Sequence, residues 1–189
     1  MSSPLASNAP QPTLYTERLA LRPFDVRDAP DVERLAGARE VADGTLTIPH
    51  PYPKGGGEMW IATHPPAWEA RTLATFAVVD RATDELRGAA GIMLSMPHAR
   101  GELGYWIGVP FWNRGYCTEA VRALMRFGFE ALDLHRLEAR HFTRNPASGR
   151  VMQKLGMTLE GVHRDAFLRW DRFEDVAVYG ILRDEWIRG

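Results

Sequence analysis

Between Trp112 and Leu132 the chain reads WNRGYCTEAVRALMRFGFEAL, a small-residue turn that opens an amphipathic helix. From Thr118 onward Glu119, Arg122, Arg126 and Glu130 recur at three- and four-residue spacing, with Val121, Leu124, Gly128 and Leu132 opposite. That pattern packs one helix face on a sheet. The first turn of such a helix has free N–H groups and the positive end of the macrodipole, which together attract an anion. Gly115 lets the backbone approach a ligand closely, Cys117 is small enough not to block it, and Arg114 adds a full positive charge. The chemistry expected here is phosphate binding, although a glycine turn also serves as an ordinary loop-to-helix junction. No Lys-Ser/Thr pair follows the glycine, which excludes a nucleotide P-loop, and the three glycines of a dinucleotide fingerprint are missing. Cys117 has no adjacent base and reads as a small filler rather than a nucleophile. The six histidines (His50, His64, His98, His135, His141 and His163) show no metal-ligand spacing, so no metal is expected.

The flanking segments supply the elements that must position this turn. RLALRPF (18–24) alternates apolar and basic residues as a first strand. DAPDVERLA follows as a helix with Asp28 as N-cap, Pro30 in the first turn, and Val32, Leu35 and Ala36 on one face. TIPHPYPKGGGEMW (47–60) is dense in Pro and Gly and reads as a loop, rich enough in large side chains to cover a site or to be a surface loop with partly buried aromatics. TFAVVD (75–80) and GAAGIML (88–94) form an antiparallel hairpin, and ELGYWIGV (102–109) and HRLEARHFT (135–143) are further strands. In NPASGRVMQKLG, Asn145 is the N-cap, Pro146 the first helical residue and Gly156 the terminator. Two last strands, near 160–168 and 175–182, flank the polar RWDRFE. With no repeat and no internal boundary, the order argues one mixed α/β layer domain over 13–189, preceded by a loose polar tail at 1–12.

Composition narrows the function classes. The 189 residues suit one domain with a sizeable core. Lys plus Arg number 23 against 24 Asp plus Glu, a formal charge of −1, which gives no reason to expect DNA or a membrane as partner. The single cysteine excludes an internal disulfide framework and fits a reducing compartment. No apolar run approaches a bilayer span, and the start lacks the blocks of a signal peptide. A cytoplasmic, soluble protein is expected.

Taken jointly, TERLALRPF, GYW-G, RGY-TEA, HRLEA and NPAS-RVMQKLGM resemble the GNAT superfamily of acetyl-CoA-dependent N-acetyltransferases. The similarity is greatest to the RimJ/RimL-like branch, which acetylates N-termini of ribosomal proteins. It runs from Thr16 to Leu182, nearly the whole chain. It implies a GNAT-type α/β fold with a mixed, mostly antiparallel central sheet, a splayed strand pair and flanking helices. It also implies acetyl-CoA as cosubstrate, its pyrophosphate lying on the turn amides of Asn113, Arg114, Gly115, Tyr116, Cys117 and Thr118. The family pattern has Gln or Arg, two residues, Gly, one residue, then Gly or Ala. Here Trp112 and Cys117 stand at its first and last positions, both compatible with a turn that presents backbone.

Moving an acetyl group from a thioester to an amine needs a neutral amine, a stabilised oxyanion and a proton for the leaving thiolate. The resemblance assigns the backbone of Ile107 and Val109 to the pantetheine and thioester, and assigns Tyr105 and Trp106 to packing, Tyr105 with some reach toward the acceptor. The family's tyrosine acid falls on Met152, which cannot donate a proton. Ser148 matches the serine of the RimL-like N-x-x-S pattern and becomes the candidate acid. A local backbone partner is its alternative role. Asn145 is a cap, with or without a pantetheine contact. Glu102 is the first candidate base and Glu138 the second, each with the alternative of a solvated strand charge. Arg150 and Lys154, with Arg114, are candidate phosphate contacts or plain surface residues. The acceptor is a protein N-terminus or a small amine, and a homodimer is compatible with the chain. The competing reading is a non-catalytic acyl-CoA-binding or regulatory module on the same fold.

Overall fold

The computed structural model describes residues 9–188. Eight strands form one sheet in the order β1-β2-β3-β4-β5-β6-β8-β7. They are β1 (Leu14–Tyr15), β2 (Leu19–Arg22), β3 (Leu73–Asp80), β4 (Leu86–Ser95), β5 (Arg100–Ile107), β6 (Arg136–Phe142), β7 (Thr158–Arg169) and β8 (Arg172–Leu182). Every neighbouring pair is antiparallel except β5 and β6. Parallel neighbours need a crossover. Here it is α5 (Tyr116–Glu130), and α6 (Pro146–Lys154) returns the chain from β6 to β7.

The β5–β6 pair decides where a ligand can enter. Its pairing runs from Arg100↔Arg136 to Leu103↔Ala139 and stops, while β5 continues to Ile107 and β6 to Phe142. The two strands therefore part at Leu103 and Ala139 and leave a V-shaped opening at their carboxyl ends, the splayed pair that the resemblance implies. Alternation along the strands sorts the side chains to two faces. Leu103, Tyr105, Leu137, Ala139 and His141 face α5 and α6, where Leu137 meets Gly128 of α5 and His141 meets Gly149 of α6. Glu102, Gly104, Glu138 and Arg140 face the other side.

The core lies between the sheet and α5. Val121, Leu124 and Met125 are fully buried against Phe76, Ile92 and Leu137, while Arg122, Arg126 and Glu130 stay exposed. Burying each such apolar side chain stabilises by roughly 1.5–3 kcal/mol. α1 (Ala29–Ala36) packs on the sheet with Leu35 against Gly108 at the end of β5. Asp28 precedes it as expected, but its carboxylate makes no cap bond to α1. It instead binds Arg22 of β2 through two N–H groups, at 2.8 and 2.9 Å, and accepts the Asp25 amide at 2.8 Å.

The Pro/Gly-rich stretch departs from expectation in its second half. Gly56–Trp60 belong to α3 (Gly56–Ala62), with Gly55 as its N-cap, and α4 (His64–Glu69) follows after Thr63. Of the glycines that argue for a loop, Gly57 serves close packing: a Cβ on it would lie 2.6 Å from the Ala29 carbonyl oxygen, so α3 can approach α1 only without one. Glu33 of α1 then accepts the Gly57 amide at 3.1 Å. The segment between α2 (Arg39–Asp43) and α3 remains irregular. The short α7 (Arg183–Arg188) closes the described chain. Of the expected tail, residues 1–8 lie outside the described residues. Within residues 9–12, the Ala9 carbonyl accepts from Trp68 Nε1 at 3.0 Å and Gln11 Nε2 donates to the Thr75 carbonyl at 2.7 Å.

Candidate active site

The turn from β5 into α5 is held from below rather than capped. Gly115 occupies the N-cap position at φ +80° and Asn113 has φ +60°. Among the described residues, none of the amides from Asn113 to Thr118 finds a protein acceptor, and the first amide engaged is Glu119 to the Gly115 carbonyl at 3.1 Å. Arg18 fixes the turn by donating to the Arg114 carbonyl at 3.0 Å and stacking its guanidinium over the Tyr116 ring at 4.6 Å. Glu119 accepts from Thr16 Oγ1 at 2.6 Å, from the Arg18 amide at 3.0 Å and from Arg18 Nε at 2.7 Å. These contacts outweigh its partial burial and hold its carboxyl below the usual range. The segments TERL and RGY-TEA are thus two halves of one joint. Sequence reasoning missed Arg18, although it lies inside a segment that carries the resemblance.

Trp112 is more than a tolerated departure. Its indole N–H donates to the Ile107 carbonyl at 2.6 Å, and its amide to the Val109 carbonyl at 3.2 Å. The carbonyls of Ile107 and Val109, the two residues expected to present backbone to the pantetheine and thioester, are thus engaged inside the turn. The backbone left without a β6 partner is the Gly104–Ile107 segment of β5. Cys117 is half-buried, and loss of hydration at its thiol pushes the pKa up to about 12, which keeps it protonated.

Across the opening, Asn145 caps α6 by accepting the Ser148 amide at 3.3 Å. Ser148 Oγ lies 3.0 Å from the hydroxyl of Tyr105, which reaches over from the unpaired part of β5. Tyr105 packs against the core as expected, and its hydroxyl adds this contact to Ser148. As an odd-numbered residue it alternates onto the helical face, opposite Glu102. Burial raises its phenol well above the ordinary range, with the neighbouring Cys117 adding to the rise and the Ser148 bond opposing it. Met152 is buried in the core.

Glu102 lies on the opposite sheet face, one pair before the strands part. Burial raises its carboxyl above the usual range against the pull of Arg140, whose Nη2 is 2.9 Å away, and Glu138 adds to the rise. Glu138 is its direct cross-strand partner and is the more enclosed of the two, flanked by Arg136 at 3.4 Å and Arg140 at 3.5 Å. The side chains of Arg114 and Arg150 are exposed near the two helix starts. Lys154 is six residues beyond Ser148, about 9 Å along α6, and its carbonyl accepts Arg122.

A cleft with an uncapped helix start on one wall and a serine–tyrosine pair facing it suits a long, pyrophosphate-bearing thioester. The family comparison agrees. Residues 18–158 match the acetyltransferase (GNAT) domain, and the chain belongs to that family of acetyltransferases. It is 30% identical over 175 residues to the uncharacterized N-acetyltransferase p20 of Bacillus licheniformis, covering 92% of this chain and 98% of that protein. It is 26% identical over 205 residues to the ribosomal protein uS5-alanine N-acetyltransferase of Escherichia coli, covering 97% of each. A ribosomal L7/L12 alpha-N-protein acetyltransferase solved with coenzyme A shares the fold at a TM-score of 0.84 and 17% identity, covering 92% of this chain and 99% of that one. The protein is accordingly an enzyme that transfers an acetyl group to an amine. No helix of the described chain is long and apolar enough to cross a membrane.

Proposed function

We propose that the enzyme uses acetyl-CoA to acetylate the α-amino group of a protein N-terminus, by direct attack of the amine on the thioester. The observation that carries this reading is the β5–β6 opening, flanked by the unengaged amides of Asn113–Thr118 and by Ser148. The amides fit a pyrophosphate: they converge at the positive end of α5, and apart from Arg18 Nη2 at 3.5 Å nothing crowds the space that a Cβ on Gly115 would take. Acetyl-CoA supplies the activated acyl group and the thiol that leaves. Asn145, Arg114, Arg150 and Gly104–Ile107 would orient its two ends.

The acid and base lie on opposite faces of the sheet at the point where the strands part. Ser148 offers its hydroxyl proton to the leaving sulfur from the helical face. Glu102 takes the proton of the attacking amine from the other face, directly or through water, with Glu138 as its neighbour. Beside Gly104, on the Glu102 face, there is no atom within 4 Å of the position a side chain would occupy, which leaves room for the acceptor. An α-amino group has a pKa of about 7.7–8.0 against about 10.4 for lysine, so a carboxylate of modestly raised pKa suffices for an N-terminus and serves a lysine poorly. The uS5-alanine enzyme, similar over nearly its whole length, supports the same class of acceptor. A ribosomal-protein acceptor would place the enzyme in the cytoplasm.

The test is mass spectrometry after incubation with acetyl-CoA and three acceptor sets. These are peptides beginning with Ala or Ser and blocked at lysine, the same peptides blocked at the N-terminus with lysine free, and small polyamines. One acetyl group on the α-amine is expected. Transfer confined to lysine or to a polyamine would overturn the acceptor assignment.

A further inference from the structure

The catalytic reading leaves open what directs the Ser148 proton. A serine in the first turn of a helix readily turns its hydroxyl toward local backbone. Here the serine's surroundings are occupied in an order that prevents this. Its amide is taken by Asn145, whose Oδ1 lies at 3.3 Å and whose carbonyl oxygen lies at 3.2 Å. Its Oγ and its carbonyl oxygen lie 3.0 and 3.4 Å from one and the same atom, the Tyr105 hydroxyl oxygen. The carbonyl can only accept, so the phenol donates wherever it bonds that atom, while between the two hydroxyls either oxygen can be the donor. With Oγ accepting from Tyr105, the serine's own proton has no other acceptor among the described residues.

We infer that Tyr105 is a positioning residue for acetyl transfer, its phenol donating to Ser148 so that the serine's proton is held free for the leaving sulfur. This rests on the reading of Ser148 as the acid. Tyr105 can fill this role because it stands on the part of β5 that has left β6, so its side chain spans the opening to α6. Its burial keeps the phenol protonated throughout the working range, so the donor is always present. As the carbon–sulfur bond breaks, sulfur keeps the electron pair and takes the Ser148 proton. The phenol's donation stabilises the negative charge growing on Oγ. Water then restores the serine proton, and the proton given up by the amine leaves through the base, so the count closes.

A double-mutant cycle tests this with Tyr105→Phe, Ser148→Ala and the pair, measured where chemistry limits turnover. Removing one donated hydrogen bond should lower kcat about 10-fold in Tyr105→Phe, with KM for acetyl-CoA unchanged. The double variant should be no slower than Ser148→Ala, because Tyr105 acts only through the serine. Losses that multiply, or parental kcat in Tyr105→Phe beside an impaired Ser148→Ala, would overturn the inference alone. Parental turnover in Ser148→Ala would remove both the acid and its positioning residue. A fluorinated tyrosine at position 105 keeps the packing and lowers the phenol pKa, which guards against a folding defect. It leaves the phenol a stronger donor, so kcat should be retained near neutral pH, and a loss as large as that of Tyr105→Phe would count against Tyr105.

Discussion

Glu102 and Glu138 face each other across the last paired stretch before β5 and β6 separate, and only their surroundings tell them apart. Glu138 is held between two arginines, whereas Glu102 has Arg140 alone and is the more exposed, with its carboxyl raised by burial. A base matters most below the amine's own pKa, because above it the amine is neutral without help. Glu102→Gln should therefore lose activity at neutral pH and recover part of it at alkaline pH, while Glu138→Gln keeps the parental profile with a smaller loss. The check is a set of pH–rate profiles on one N-terminal peptide. A Glu102→Gln enzyme matching the parent throughout would leave Glu102 a structural partner of Arg140. Both glutamates were legible in the sequence as residue types on strands. That Glu102 takes the sheet face opposite Tyr105 was also legible in principle, because the two are an odd number of residues apart on one strand. What could not be read was the 3.0 Å contact from Tyr105 to Ser148, which joins residues 43 positions apart.

At the scale of elements, α5 and its preceding turn carry the cosubstrate end of the site. The helix was plain from its 3.6-residue periodicity, since Val121, Leu124 and Leu132 bury as that pattern demands. The turn was legible as a glycine junction, but the Arg18–Glu119 joint that braces it was not, because it forms between segments 101 residues apart. Gly115 at φ +80° should reject a β-branched residue on backbone grounds and on access. Gly115→Val is expected to lose coenzyme A affinity at least 10-fold by calorimetry. Gly115→Asn, whose side chain tolerates a left-handed backbone, should retain most of it. Unchanged affinity in a folded Gly115→Val protein would move the pyrophosphate away from this turn. The counterexample among elements is α3, where glycine signals a helix packed closely on its neighbour instead of a loop.

On the scale of the whole molecule, two groups outside the site make the fold sensitive to acid. His64 is 4% exposed between Phe24 and Trp60, and neither ring nitrogen has a hydrogen-bond partner among the described residues. Burial lowers its pKa from 6.5 to about 4. The unfolded chain therefore binds a proton between those values that the folded chain refuses, and stability falls as pH drops through this window. Between about pH 7.5 and pH 5 the loss should be about 2 kcal/mol, or about 4–8 °C in Tm for a chain of this size. His64→Phe keeps an aromatic ring in place and should flatten that part of the Tm-against-pH curve. An equal slope in both proteins would mean that His64 is hydrated or paired in solution. Asp28 acts in the same direction at lower pH: burial would raise its carboxyl, but the Arg22 and Asp25 hydrogen bonds outweigh it and lower the pKa. Its contribution is present at neutral pH and lost as pH falls through the depressed value. His64 stood in the sequence as one of six histidines without metal spacing, and nothing local foretold its burial.

The sequence by itself determined the class of fold, the family and the positions of the candidate acid, base and phosphate turn. Each of these rests on information within a few residues: hydrophobic period, cap and terminator residues, and short motifs whose backbone need is local. Tertiary structure alone decided that β5 and β6 part at Leu103 and Ala139, that Trp112 engages the Ile107 carbonyl, and that Tyr105 meets Ser148. It also decided that Arg169 of β7 donates to the carbonyls of Ala42, Leu46 and Ile48, pinning the segment before α3 across the molecule. Those features depend on strand register and on the close approach of distant segments. A period of two or 3.6 residues says which face a side chain takes, but not which residue waits opposite.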